Sequence, residues 1–416
     1  MKIRVLILSL MMTSVSFAQA LDCSKKAGTL PSPNNAIGTS DANIPVEHVI
    51  VIMQENHSFD AYFGRLNQPQ YYGSQLDGVS EAITNPDSNG NIIHAYHETN
   101  LCIPDTDHMW NAEHQSWDNG KNDGFVKTNG VRTLAFYDQT NLPFYYELAN
   151  QFAVADRYFC SVMSSTYPNR YFLMAATAFG HYTNDEPKDE TEFTQRTIFD
   201  VMTDAKVSWK YYTDSEGYLQ LFRPMWKRNQ DKMMPFTQLQ KDLAAGTLPQ
   251  VTFIDAEFDT QDEHPDADVQ IGQQWVAQII HQLIQSPAWP KTALFLTYDE
   301  NGGFADHVAP PKACAPDEIK PDLPNWATPD DYSHYGFRVP FVLVSPFAKH
   351  HYVSHVVYDH TSILKFIETK FNLPALSARD ANADGMMSLF DFKHPVMTPP
   401  ILPSGEMDNG KACKIH

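Results

Sequence analysis

The segment Val46-Glu47-His48-Val49-Ile50-Val51-Ile52-Met53 is nearly continuous in apolar, β-branched residues. That is the pattern of a strand buried on both faces of a parallel sheet. Shorter runs of the same kind occupy residues 251–254, 293–297 and 341–344. Helical periodicity separates them. Residues 273–286 place Trp275, Val276, Ile279, Ile280, Leu283 and Ile284 on one face, and residues 361–371 repeat the spacing with Ile363, Leu364, Ile367 and Phe371. Asp359 or Thr361 can cap the second helix. The alternation predicts an α/β fold with a mostly parallel central sheet flanked by helices. Residues 21–45 are rich in Ser, Pro, Asn and Gly and read as an extended lead-in. No internal repeat or low-complexity linker follows, so one domain is expected over 46–395, with a tail over 396–416.

The first twenty residues break this pattern. Lys2 and Arg4 precede an apolar run from Val5 to Met12, and Ala18-Gln19-Ala20 closes the stretch, the three parts of a secretory signal peptide with cleavage after Ala20. A secreted or periplasmic chain is expected. Asp22 before Cys23 argues against lipoprotein processing. No later apolar run approaches the roughly 18 residues that cross a bilayer.

Hydrophobic content of 43% and aromatic content of 12% suit a globular core, while a formal net charge of −20 repels nucleic acids and anionic membranes at long range. Zwitterionic lipid headgroups fit that field better than acidic ones. Five cysteines leave at least one unpaired or paired between chains. Cys23 and Cys413 lie near the two ends and could staple them.

Ligands of open α/β sheets sit beyond the carboxyl ends of the strands. After the first strand comes Gln54-Glu55-Asn56-His57-Ser58-Phe59-Asp60. Asp255 and then Asp262-Glu263-His264-Pro265 follow the second. The third leads into Tyr298-Asp299-Glu300-Asn301-Gly302-Gly303-Phe304-Ala305-Asp306-His307. Carboxylates crowded at strand ends repel one another unless a cation neutralises them, so Glu55, Asn56, Asp299 and Glu300 would make an oxygen-rich metal site. The pattern alone equally allows helix caps at Asn56 or Ser58 and a plain turn at Gly302-Gly303.

Two further strings narrow this. Tyr167-Pro168-Asn169-Arg170-Tyr171 and Tyr358-Asp359-His360-Thr361-Ser362-Ile363-Leu364 occur in order with Gln54 to Asp60, Tyr62-Phe63-Gly64 and Tyr298 to Val308. Together they resemble the successive signatures of the bacterial phospholipase C and acid phosphatase family. The resemblance implies an alkaline-phosphatase-like α/β sandwich and a hydroxyl nucleophile bound to a divalent metal, with zinc as the first ion to consider. It implies Glu55, Asn56, Asp299 and Glu300 as ligands and Thr166 as nucleophile and fifth ligand, with Ser164 and Ser165 as its nearest rivals.

Asn169 is then placed to donate to a phosphoryl oxygen, or else is a turn residue after Pro168. Arg170 is expected to pair with a neighbouring carboxylate. Among seventeen histidines, His108, His264, His307 and His360 are candidates for phosphate contact or for protonating the leaving alkoxide, with His108 and His264 nearest the family's active-site pattern. His360 alternatively caps the helix starting near Thr361.

The implied reaction is hydrolysis of a glycerophospholipid to diacylglycerol and a phosphorylated headgroup through phosphothreonine, with transient contact with a membrane surface. The alternatives are a broad acid phosphatase acting on monoesters and a non-catalytic binding protein on the same fold. The chain ends soon after the last core helix, so lipid engagement is expected from the core itself.

Two segments offer competing signals. Asp380-Ala381-Asn382-Ala383-Asp384-Gly385 copies half of an EF-hand loop, but Asp391 stands where a bidentate Glu belongs, which argues against calcium. Met225-Trp226, Met233-Met234 and Phe236 interleave with Lys227, Arg228 and Lys232. If exposed they would suit a lipid interface; ordinary packing is the other reading.

Overall fold

In the computed structural model, residues 21–406 are described apart from Glu81, Glu190, Thr194 and Asp259, together with Cys413. The predicted leader at 1–20 and most of the tail beyond 406 lie outside the described residues. The central sheet has eight strands: β1 (His48–Gln54), β2 (Ala153–Ala155), β3 (Trp209–Tyr212), β4 (Met233–Met234), β5 (Val251–Ile254), β6 (Thr292–Tyr298), β7 (Phe341–Val344) and β8 (Tyr352–Ser354). Their spatial order is β8-β2-β7-β6-β1-β5-β3-β4. Only β7 runs against its neighbours. The other pairings are parallel, as the unbroken apolar runs predict.

Register sets up the chemistry. β1 and β6 pair from His48 opposite Thr292 to Gln54 opposite Tyr298, so Glu55-Asn56 and Asp299-Glu300 leave the sheet side by side. The Asp299 amide donates to the Gln54 carbonyl at 3.0 Å, extending the ladder by one step.

Four helices matter for the site: α1 (Trp110–Trp117), α2 (Thr166–Ala175), α3 (Val269–Gln285) and α4 (His360–Phe371). α3 starts where the Asp268 side chain accepts from the Gln270 amide at 2.9 Å, and it buries Trp275, Val276, Ile279, Ile280, Leu283 and Ile284. Each such fully buried aliphatic side chain contributes about 2 kcal/mol from removal of apolar surface. α4 has Asp359 at its N-cap position and ends at Asn372 in the left-handed region.

The cysteines pair otherwise than chain position implies. Cys23 bonds Cys314 and Cys102 bonds Cys413. The lead-in runs past the end of α4, the Ser32 amide donating to Asn372 and the Gly28 amide to the Ala375 carbonyl. That path carries Cys23 to the 314 loop. Cys160 is the fifth, free and buried.

The EF-hand-like stretch serves as a helix cap. Asp380 accepts from the amides of Leu376 and Ser377, and Asp384 from that of Met386. Their carboxylates are occupied locally. The Met225 to Phe236 segment is packing at the sheet edge: Met225 is buried, Met233 and Met234 form β4, and Phe236 lies 5.8 Å from Trp275. Arg228 pairs with Asp200 and Lys232 sits over Trp209. No helix among the described residues is long and apolar enough to cross a membrane.

Candidate active site

Thr166 is the first residue of α2, so its hydroxyl stands where unpaired amides and the helix dipole favour an anion. Its Oγ1 lies 3.5 Å from Glu55 Oε2. The other Glu55 oxygen, Oε1, accepts from Arg170 at 3.2 Å and from the Tyr218 hydroxyl. Arg170 also reaches Asp255 at 3.2 Å and Asp299 at 3.5 Å. One buried guanidinium therefore faces three carboxylates, the pairing expected for it from the sequence.

Asn56 donates its Nδ2 to Glu300 Oε1 at 2.7 Å, and Glu300 Oε2 accepts from the Gly302 amide at 2.6 Å. Two buried oxygens have no hydrogen-bond donor: Asn56 Oδ1 and Asp299 Oδ2. Burial pushes the carboxyls of both Asp299 and Glu300 well above the usual range, and the negative charge of Glu55 adds to it. Arg170 opposes this for Asp299 without cancelling it. Crowded carboxylates and orphaned acceptors are the surroundings a cation stabilises, and the oxygens of Glu55, Asn56, Thr166, Asp299 and Glu300 are of the chemical type a divalent ion takes, although Glu55, Asp299 and Glu300 do not converge on one point here and Arg170 Nε stands 3.5 Å from Asp299 Oδ2.

A cleft of about 430 Å³ opens onto this group and is lined by Glu55, Thr166, Tyr167, Tyr218, Phe258 and His264, among others. His108 and His264 stand edge to face with ring centres 5.7 Å apart. His108 Nε2 is 3.8 Å from Glu300 Oε1, and its Nδ1 is 2.7 Å from the Thr106 carbonyl. Asp105, His108 and His264 also form a group whose ligand atoms approach closely enough to hold an ion.

Asn169 is turned inward. Its amide accepts from Val162 N and donates to the carbonyls of Val162, Ser164 and Ser165 at 2.8 to 3.2 Å. It shapes the loop that delivers Thr166. Of the rival hydroxyls, Ser164 donates to the Tyr182 carbonyl at 2.6 Å.

His360 and His307 lie apart from the cleft lining. The fully buried His360 has Nε2 2.7 Å from the Asp299 carbonyl and Nδ1 3.2 Å from the Tyr158 hydroxyl. Burial holds its pKa down to about 3, so it tethers the Asp299 backbone as a neutral ring. His307 binds Asp60 at 2.7 Å and Asp77 at 2.9 Å. Asp60 and Asp306 are both neutralised there by Arg338, at 2.9 and 2.8 Å.

Tyr218 escaped the sequence reading. It is remote in sequence from Glu55 and has no motif of its own; only the fold brings its hydroxyl to the carboxylate.

A hydroxyl at a helix N-terminus, backed by carboxylates and an amide at the strand ends of a mixed sheet, supplies groups of the kind that an anionic ester and a cation engage. The Phosphoesterase family profile matches residues 46–374, and the chain belongs to that family. Among similar proteins, the non-hemolytic phospholipase C of Burkholderia pseudomallei is 33% identical, over 86% of this chain and 61% of that protein. The non-hemolytic phospholipase C of Pseudomonas aeruginosa is 30% identical, over 95% and 62%. Phospholipase C B of Mycobacterium tuberculosis is 31% identical, over 84% and 78%. The chain thus spans about three fifths of the length of the first two relatives. A solved protein of the alkaline phosphatase superfamily from Vibrio parahaemolyticus aligns over 88% of this chain and 75% of its own, at 9% identity and a TM-score of 0.39.

Proposed function

We propose that this protein is a secreted or periplasmic, metal-dependent phospholipase C that cleaves zwitterionic glycerophospholipids at a membrane surface. The observation that carries the reading is the meeting of Thr166 Oγ1 with Glu55 at 3.5 Å, beside the donorless buried oxygens of Asn56 and Asp299. The similarity to proteins named phospholipase C supports the substrate class. The two disulfides accord with an oxidising compartment.

Thr166 Oγ1 passes its proton to the facing Glu55 Oε2 and attacks phosphorus in line, and the bond from phosphorus to the glycerol oxygen breaks. The departing oxygen of diacylglycerol takes a proton from His264, which lines the cleft with His108 packed beside it. Water then attacks phosphothreonine, restoring the Thr166 hydroxyl and releasing the phosphorylated headgroup. A bound divalent cation would lower the pKa of the Thr166 hydroxyl and offset charge on the phosphoryl oxygens. Arg170 and Tyr218 hold Glu55 in place, and the Asn169 amide fixes the loop before Thr166.

The all-oxygen ligand set accepts zinc as well as magnesium, manganese or calcium. Elemental analysis of the purified protein names the ion, with zinc the first expected.

The test compares phosphatidylcholine with a soluble phosphomonoester. Preference for the lipid, with activity lost in Thr166→Ala and partly kept in Thr166→Ser, is the expected result. An unchanged rate in Thr166→Ala overturns the nucleophile assignment, and faster monoester hydrolysis favours an acid phosphatase. Two displacements predict retained configuration at phosphorus; inversion excludes the covalent step.

A further inference from the structure

Between the strand ends and the cleft lies a carboxyl group that the proposed chemistry does not use. Glu263 is fully buried in the segment that joins β5 to α3. Its Oε2 accepts from the Tyr298 hydroxyl at 2.6 Å, and its Oε1 from the hydroxyl of Tyr145 on the helix Pro143–Gln151. Both tyrosines are themselves buried. The Glu263 amide donates to the Glu55 carbonyl at 3.1 Å. One residue is therefore held from three sides: by the end of β1, by the last residue of β6 and by a helix.

α3 leaves room for it. A Cβ on Gly272 would stand 2.3 Å from Glu263 Cγ and 2.6 Å from its Oε1, so a side chain there would collide with the carboxyl group. A buried polar group that serves packing alone can be exchanged, with its partners, for apolar groups of the same shape at little cost. What the oxygens add is direction. Each hydrogen bond restrains one angle and one distance, and the three together fix where the chain stands at Glu263.

The next residue is His264, in the lining of the cleft. Its Nδ1 lies 2.5 Å from the Pro265 carbonyl, which leaves Nε2 as the nitrogen for proton exchange. We infer that Glu263 is a positioning residue, whose tyrosine-held carboxyl group sets His264 against the ester that Thr166 attacks. The inference rests on the phosphodiesterase reading with His264 as the acid, and names what aims that acid. In the first displacement the proton passes from His264 to the oxygen leaving phosphorus; in the second, the attacking water returns it. Proton delivery demands hydrogen-bond reach, so a displaced His264 fails at the departing oxygen and leaves the attack by Thr166 intact.

The dependence of rate on the leaving group reads this role. p-Nitrophenolate departs without a proton, whereas the alkoxide of a diacylglycerol needs one. The experiment measures kcat/KM for p-nitrophenyl phosphorylcholine and for dihexanoyl phosphatidylcholine in wild type, Glu263→Leu, Glu263→Gln and His264→Gln. Glu263→Leu is expected to lose about a hundredfold on the phosphatidylcholine and no more than about twofold on the nitrophenyl ester, and Glu263→Gln, which keeps one acceptor, about tenfold on the former alone. If Glu263→Leu does not fold, as its circular dichroism would reveal, the same comparison in Glu263→Gln decides. An equal fall on both esters, or no fall on either, overturns the positioning role. His264→Gln separates the inference from the reading beneath it. Leaving-group dependence in His264→Gln and not in the Glu263 variants overturns the inference alone; its absence from His264→Gln overturns His264 as the acid, and the inference with it.

Discussion

The guanidinium carbon of Arg170 lies over the ring of Tyr218, 3.7 Å from its centre, while the hydroxyl of that same ring donates to Glu55. Charge and hydroxyl thus act on one carboxylate from one side. Tyr218→Phe keeps the stacked ring and removes only the donor. Loss of a hydrogen bond to a charged group is expected to lower kcat about tenfold, from roughly 1.5 kcal/mol, with an unchanged circular dichroism spectrum. Steady-state kinetics on phosphatidylcholine, beside the metal content of the variant, check this.

Arg170→Met leaves Glu55, Asp255 and Asp299 buried without their shared cation. Removing one side of a buried ion pair costs about 3 to 5 kcal/mol. Denaturant unfolding should show a loss of that order, and added divalent metal should recover part of it if those carboxylates bind the ion.

Gly302 has φ of +62°, and a Cβ there would sit 2.6 Å from Asn56 Oδ1. Gly302→Ala must therefore displace the amide that Glu300 orients, besides straining a left-handed backbone. A stability loss of about 1 kcal/mol or more is expected from the backbone alone, together with loss of bound metal. Elemental analysis after dialysis and thermal unfolding separate the two effects.

His307 gives a pH signature away from the cleft. Burial alone lowers its pKa, but hydrogen bonding and charge from Asp60, with Asp306 adding, outweigh that and the opposing Arg338, raising it to about 9. The stabilisation is therefore complete below the ordinary value of 6.5 and fades as pH rises through 9. It amounts to at most about 3 kcal/mol. Its neighbour Asp77 is held to about 2; burial opposes this, but His307 and Arg157 prevail, so that contribution is lost only as pH falls through 2. Asp306, raised by burial to about 6, loses stability over the separate window from 3.8 to 6. Unfolding free energy from pH 6 to 10 should decline in wild type and stay flatter in His307→Gln.

The contrast between what was readable in advance and what was not is physical. Residues 48–54 and 292–298 are long, apolar on both faces and followed by carboxylates, so strand, burial and the position of those carboxylates at the strand ends were all written locally. Ala153–Ala155, Met233–Met234 and Tyr352–Ser354 are too short to carry a period, and they are strands because neighbours pair with them. The antiparallel direction of Phe341–Val344 likewise depends on the connection, since its apolar run reads the same either way. Thr166 could be placed by the string after it. Tyr218 and the inward turn of Asn169 could not, because both depend on contacts made after folding. Cysteine pairing failed for the same reason: nearness to the chain ends says nothing of nearness in space.

The two disulfides join positions 291 and 311 residues apart, and the segment from Cys102 to Cys314 lies inside both loops. A single peptide cut anywhere between Cys23 and Cys413 therefore leaves its two fragments covalently attached. Outside a cell, where proteases are abundant, a single nick in that span would run as one species on a non-reducing gel and as two after thiol treatment. The molecule can be broken as a chain and still persist as a particle.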